Sequence, residues 1–162
     1  METGFPLAMS GEVAGEGDGV RRVLTLFVLV LLWPVLAAAG PAELRLFARS
    51  EGIVDVEGFV ETVESLRKTK KLPPRYLTKE EAAKLGWQPG TDLCTVARGR
   101  VIGGNRFGNR ERRLPEKRDR KWYEADIDFF CGSRGPKRLV WSNDGLIYLT
   151  TDHYQTFKEV PK

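Results

Sequence analysis

The chain has 162 residues, 41% apolar and 30% charged, which is enough for one domain with its own core and too little for two. Its 17 Gly and 9 Pro are scattered, with no repeat and no low-complexity tract, so a collagen-like, coiled-coil or wholly disordered chain is excluded. The net charge of +4 hides an asymmetry: residues 1–39 hold four acids and two bases, and the remainder carries 24 Lys and Arg against 18 Asp and Glu.

Arg21 and Arg22 precede an apolar run from Val23 to Leu36 broken only by Thr25 and Pro34, and Ala37, Ala38 and Ala39 supply an A-x-A site. That is the layout of a secretory signal peptide. The run falls short of the ~20 apolar residues of a membrane span. The expectation is an export signal over residues 1–39, cleaved after Ala39, with no stable membrane association afterwards; an uncleaved anchor is the alternative. An oxidising compartment lets thiols pair. Cys94 and Cys131, the only two cysteines, are then either a disulfide or two separate buried thiols. A bridge closes a loop of about 38 residues and contributes at most ~4 kcal/mol by chain entropy. Two cysteines and a single histidine do not build a structural zinc site.

Residues 40–55 show no clear period and read as a lead-in segment, open to motion. From Val56 to Lys70, Val56, Phe59, Val60, Val63 and Leu66 recur at helical spacing, with Glu57, Glu61 and Glu64 outside that face. Acids early and Arg67, Lys68 and Lys70 late suit the helix dipole, and Pro73-Pro74 bars continuation. Thr78 followed by Glu81 is a capping box for a helix over Lys79 to Leu85, which Gly86 can end in a left-handed conformation. After Trp87 short strand-like runs begin, with a helical turn around Leu93 to Ala97. The strands expected are Arg100–Asn105, Lys121–Asp128, Arg138–Ser142, Leu146–Thr151 and Thr156–Glu159. Alternation puts Trp122, Glu124 and Asp126 on one face and Tyr123, Ala125 and Ile127 on the other. Asn143-Asp144-Gly145 is a hairpin signal. Helices followed by hairpin-linked strands predict an α+β fold on an antiparallel sheet.

Lys and Arg crowd the region from Lys79 to Arg138, interleaved with Phe107, Trp122 and Tyr123, with Tyr154 further on. A phosphate-binding surface with stacking platforms has this make-up; by composition alone a solvated basic loop reads the same. His153, the only histidine, follows a predicted strand in Thr150-Thr151-Asp152-His153-Tyr154. A lone histidine is by default structural, but paired with a carboxylate it gains meaning. Cleaving RNA without metal takes one group to accept the 2′-hydroxyl proton and another to protonate the leaving 5′-oxygen. A Glu and a His, with ordinary pKa values of ~4.3 and ~6.5, hold opposite protonation states in mildly acidic to neutral solution. Glu124 and Asp126 are the candidate carboxylates, with pairing to Arg as their other reading. Arg134 and Arg138 are candidates for stabilising charge on phosphoryl oxygens.

The segments Lys71-Leu72-Pro73, Tyr76-Leu77-Thr78-Lys79, Leu85-Gly86-Trp87, Ile102-Gly103-Gly104, Phe107-Gly108-Asn109-Arg110-Glu111, Glu124-Ala125-Asp126-Ile127 and Thr151-Asp152-His153-Tyr154-Gln155-Thr156-Phe157 carry a resemblance. In order and spacing, the stretch from Phe59 to Phe157 resembles the barnase and binase family of secreted guanyl-preferring microbial ribonucleases. The resemblance implies a ribonuclease domain over 56–162, with N-terminal helices packed on a five-stranded antiparallel sheet. It implies Glu124 as general base and His153 as general acid in transphosphorylation to a 2′,3′-cyclic phosphate, with His153 as base in the later hydrolysis. It implies Lys79, Arg134, Arg138 and Arg110 as phosphate-binding residues; Phe107, Asn109, Arg110 and Glu111 as a guanine-recognition loop; and Tyr154 as a stacking residue.

It also implies RNA as substrate, no metal and no cofactor, a secreted monomer, and a small acidic intracellular inhibitor similar to barstar. The chain departs from the family at Asn105, where an acid is usual, at Gly108, where Ser is usual, and in its cysteines. Aligned to the family, Cys94 falls in the short third helix region and Cys131 in the loop after the second strand, where a bridge stiffens the fold without touching the site. Two other readings stand beside this one: a non-catalytic RNA-binding or interaction module on the same fold, and a metal-dependent nuclease using Asp126 and Asp128.

Overall fold

The structure, a computed structural model, describes residues 40–162; the export signal expected over 1–39 lies outside the described residues. Residues 41–50, expected within a lead-in segment, are instead a helix, α1 (Pro41–Ser50). Pro41 in the first turn is preorganised for a helix start. Leu44 and Ala48, one turn apart, are fully buried and join the main core. Exposed Leu46 interrupts so short an apolar face, which is why no period shows in the sequence.

Helix α2 (Val56–Thr69) begins where Asp55 Oδ1 accepts from the Gly58 amide at 2.9 Å, and stops at Lys70, left-handed at φ 61°. Phe59, Val60, Val63 and Leu66 bury the face that the periodicity predicts. Fully burying one such side chain contributes about 1.5–3 kcal/mol. Helix α3 (Lys79–Lys84) carries the expected capping box with both halves formed, and Gly86 follows at φ 95°. Leu93–Thr95 is a single 3-10 turn.

The sheet has six strands in chain order: β1 (Tyr76–Leu77), β2 (Val101–Phe107), β3 (Trp122–Asp126), β4 (Arg138–Ser142), β5 (Ile147–Thr150) and β6 (Lys158–Glu159). Five antiparallel strands were expected, and the sixth is β1, which lies parallel to β2 with Tyr76 opposite Val101. Pro73-Pro74 disfavours helix on its N-terminal side and the Thr78 cap starts one on the other, so Tyr76 and Leu77 are left extended. The remaining pairs are antiparallel, and the α+β class holds. The β4–β5 turn is the predicted one: the Gly145 amide reaches Ser142 O at 3.1 Å, and φ at Gly145 is 100°.

One sheet face, through Tyr123, Ala125, Leu139, Trp141, Ile147 and Leu149, closes the core against α1 and α2. The opposite face carries a smaller apolar group around Leu114, Trp122 and Val140, with Phe107, Tyr154 and Phe157 packed on it. Two cross-links tie loops to this frame. Cys94 and Cys131 are bridged, with Cα atoms 5.4 Å apart, which decides between the two readings of the cysteines. Asp128, just past β3, accepts the amides of Val54 and Asp55 at 2.9 and 2.8 Å and pairs with Lys137 at 2.7 Å. No helix among the described residues is long and apolar enough to cross a membrane.

Candidate active site

β3 presents Glu124 and Asp126 two residues apart on the face away from α1 and α2, as alternation requires. Both are buried, at 7% and 2% exposure. Glu124 accepts from the Lys79 ammonium at 3.1 Å through Oε1 and from the Tyr154 hydroxyl at 2.7 Å through Oε2. Lys79 is the first residue of α3, and its amide donates to Asn105 Oδ1 at 3.0 Å. Asn105 pairs with Glu124 across β2 and β3, so the cap, the bulged strand and the carboxylate form one connected unit.

Asp126 is held differently. Arg134 donates to both of its oxygens at 2.6 Å, a bidentate fork, and Arg138 Nε stands 2.9 Å from Oδ1. Arg138 Nε is close enough to pair but is not aligned to hydrogen-bond, while Nη1 of the same group donates to the carbonyls of Gly135 and Lys137. The hydrogen bond to Asp126 comes first among the causes that raise the Arg134 pKa. Two guanidiniums therefore neutralise one carboxylate and leave excess positive charge at the end of β3. Asp128 sits outside this group, committed to the α1–α2 corner and Lys137. Asp126 and Asp128 therefore serve different clamps.

His153 and Tyr154 lie in a turn with two consecutive left-handed residues, at φ 54° and 69°. Such conformations need local compensation in non-glycine residues. Asp152 supplies it: its carboxylate accepts from Thr150 Oγ1 (2.9 Å), the Gln155 and Thr156 amides (3.0 Å each) and Thr156 Oγ1 (2.5 Å). These bonds, Thr156 foremost, lower the Asp152 pKa to about 2. The turn leaves His153 exposed and turns Tyr154 inward. Tyr154 stacks on Phe107, with centroids 5.2 Å apart, and burial, then its bond to Glu124, push its hydroxyl up to about 12. It is a fixed donor at neutral pH.

The loop after β2 is locked by Asn109, whose side chain exchanges two hydrogen bonds with the Leu114 backbone, at 3.0 and 2.9 Å. That side chain is spent on structure; Arg110 and Glu111 stay exposed. Phe107, Asn109, Arg110, Glu111, His153 and Tyr154 line one open cleft of about 640 Å³. Lys79, Glu124, Arg134 and Arg138 do not line it, and Tyr154 connects the two groups through its bond to Glu124. The sequence reading gave no role to Asp152, which contacts no expected ligand yet shapes the site. For Asp152 the available signal is an Asp flanked by Thr150 and Thr156, a local hydrogen-bonding pattern.

A largely buried carboxylate beside an ammonium, with guanidiniums at the strand end and an exposed imidazole at a cleft with stacked rings, defines a polyanion-handling hydrolytic site. The comparisons agree. A family model described as ribonuclease matches residues 60–161. The ribonuclease of Bacillus pumilus is 42% identical over 120 residues, 74% of each chain. That of Heyndrickxia coagulans is 46% identical over 106 residues, 65% of this chain and 97% of the other. A solved structure of ribonuclease Sa2 with guanosine-2′-cyclophosphate is 30% identical over 52% of this chain and 91% of that one, but with a TM-score of 0.31 the overlay is too partial to bear on the fold. The chain belongs to the ribonuclease family, among the barnase- and binase-type microbial enzymes. It is an RNA-cleaving enzyme, an endoribonuclease of the microbial type.

Proposed function

We propose that this ribonuclease is exported, acts without metal, and cuts single-stranded RNA on the 3′ side of guanosine by transphosphorylation to a 2′,3′-cyclic phosphate, which it then hydrolyses more slowly. The observation that carries this reading is the seat of Glu124, between the Lys79 ammonium and the Tyr154 hydroxyl, next along the chain to His153. Glu124 takes the 2′-hydroxyl proton as that oxygen attacks phosphorus, and His153 gives a proton to the departing 5′-oxygen. In hydrolysis His153 activates water, as reversibility requires.

Lys79, Arg134 and Arg138, with Arg110 at the rim, stabilise the charge that grows on the phosphoryl oxygens. One such preorganised donor is worth about 3 kcal/mol. In the cleft, the backbone amides of Asn109 and Arg110 meet the guanine O6 edge and the Glu111 carboxylate accepts from N1 and N2, with Phe107 and Tyr154 as stacking surface. The lock of Asn109 on Leu114 supports this, since a stiff polar loop rejects bases that leave its groups unpaired. The basic rim favours an acidic intracellular inhibitor, similar to barstar, through fast and salt-sensitive association. The enzyme works outside the cell as a monomer after loss of residues 1–39.

Digesting a defined RNA with and without chelator, and mapping cut sites and end groups, tests the reading. Cuts after G, cyclic and then 3′-phosphate ends, and indifference to chelator are expected. Linear 5′-phosphate ends or chelator sensitivity overturn it.

A further inference from the structure

The loop between β3 and β4 makes contacts that its position alone does not require. It is closed at its base by the Ile127 amide on Lys137 O at 3.2 Å and by the Lys137–Asp128 ion pair. Its far half presents three groups to the site: Arg134 forks onto Asp126, Gly135 O receives Arg138, and Pro136 O receives the His153 amide at 3.3 Å. The near half, residues 129–133, has no hydrogen bond or ion pair to the rest of the protein among the described residues. Phe129 packs near Trp87 and Leu93, and the covalent tether is Cys131, three residues before Arg134. Phe130 is 64% exposed, and Cys131 and Gly132 both sit at positive φ, 79° and 80°, so this half has little else to define its path. The bridge, expected to stiffen the fold without touching the site, is joined to it by three residues of chain.

We propose that Cys94 and Cys131 are positioning residues for the reaction: their bridge fixes the loop that carries Arg134 and the Pro136 carbonyl, and opening it slows phosphoryl transfer in a protein that stays folded. The inference rests on the roles given above to Arg134 and His153. The anchor at the other end of the tether is the 3-10 turn, held by the Asp92 carboxylate on the Cys94 amide at 2.9 Å and by Leu93 buried among Ala82, Trp87 and Ile102. A fixed point is thus bonded to the half of the loop that has, among the described residues, no hydrogen bond or ion pair of its own to the rest of the protein. Opening the bridge with a small dithiol reagent moves two electrons and two protons to the protein, giving Cys94 and Cys131 thiols and the cyclic disulfide of the reagent. Nothing else in the site changes chemically, but the loop loses the tether that defines its path. Misplacement of a positioning group by about 1 Å costs up to ~100-fold in rate.

The test measures kcat and KM on a short RNA for the oxidised protein, the dithiol-reduced and alkylated protein, and a Gly-Gly insertion between Gly132 and Ser133. The insertion keeps the bridge and the fold but uncouples it from Arg134. Each form is paired with the same form in an Arg134→Ala background, and circular dichroism reports folding at the assay temperature. Both reduction and insertion are expected to lower kcat about tenfold or more, with KM nearly unchanged and with much less further loss in Arg134→Ala. Wild-type kcat in the folded reduced protein or in the insertion variant overturns the inference, and an equal loss in the Arg134→Ala background overturns the part routed through Arg134. Should reduction unfold the protein, the insertion variant alone decides. An oxidised protein that cleaves no RNA overturns the ribonuclease reading and this inference together; cleavage indifferent to the loop overturns only this one.

Discussion

Glu124 and Asp126 are two carboxylates on one face of one strand, both buried, yet the protein treats them in opposite ways. Asp126 faces two guanidiniums and is forked by one of them. Glu124 has one ammonium and one phenol, each through a single hydrogen bond. A proton arriving at Asp126 would leave two cations facing each other without a counter-charge; one arriving at Glu124 leaves a single Lys79, 45% exposed and reachable by water. Under the proposed function, the number and exposure of the surrounding cations, more than burial, separate the carboxylate assigned to proton transfer from the one assigned to structure.

The strongest way to break this comparison is to remove each carboxylate in turn. Glu124→Ala, and likewise His153→Ala, should cut kcat/KM about 10²–10⁴-fold in an RNA cleavage assay while urea midpoints stay close to wild type. Asp126→Asn should do the reverse in kind. It leaves two guanidiniums, one of them nearly buried, without their counter-ion, and should cost about 3–5 kcal/mol in urea unfolding, with activity falling as a consequence. If Asp126→Asn unfolds like wild type, the structural assignment of that carboxylate is wrong.

Tyr154→Phe sharpens the contrast from the other side. It keeps the ring on Phe107 but deletes the 2.7 Å bond to Glu124, for an expected loss of about 1.5–3 kcal/mol in transition-state stabilisation, read as kcat/KM. The smallest effect concerns Asp152, whose pKa falls from 3.8 to about 2. A carboxyl with a lowered folded-state pKa stabilises above its unfolded value and ceases to as pH drops through the folded one. The turn carrying His153 and Tyr154 should therefore loosen between pH ~4 and ~2, seen as rising amide exchange at Gln155 and Thr156 and abolished in advance by Asp152→Asn.

Much of this was legible before any coordinates, and the reasons are local. Helical spacing defined the buried face of α2, a Thr and a Glu three apart capped α3, and period-two alternation put Glu124 and Asp126 on the face opposite Tyr123 and Ala125. The failures share a cause as well. α1 has too short an apolar stripe to show a period, and β1 is two residues that become a strand only because Val101 and Ile102 lie alongside. The different surroundings of Glu124 and Asp126 depend on which cations the fold delivers, mainly from α3 in one case and the β3–β4 loop in the other, and no pattern along β3 encodes that. Asp128 is plainer still, since two of its partners are 73 and 74 residues away.

That last contact has a consequence for how the chain is made. Ribosomes release the polypeptide from its amino end, so the bend joining the first two helices exists long before the carboxylate that satisfies its amides has been translated. Until then those two amides have only water to bond.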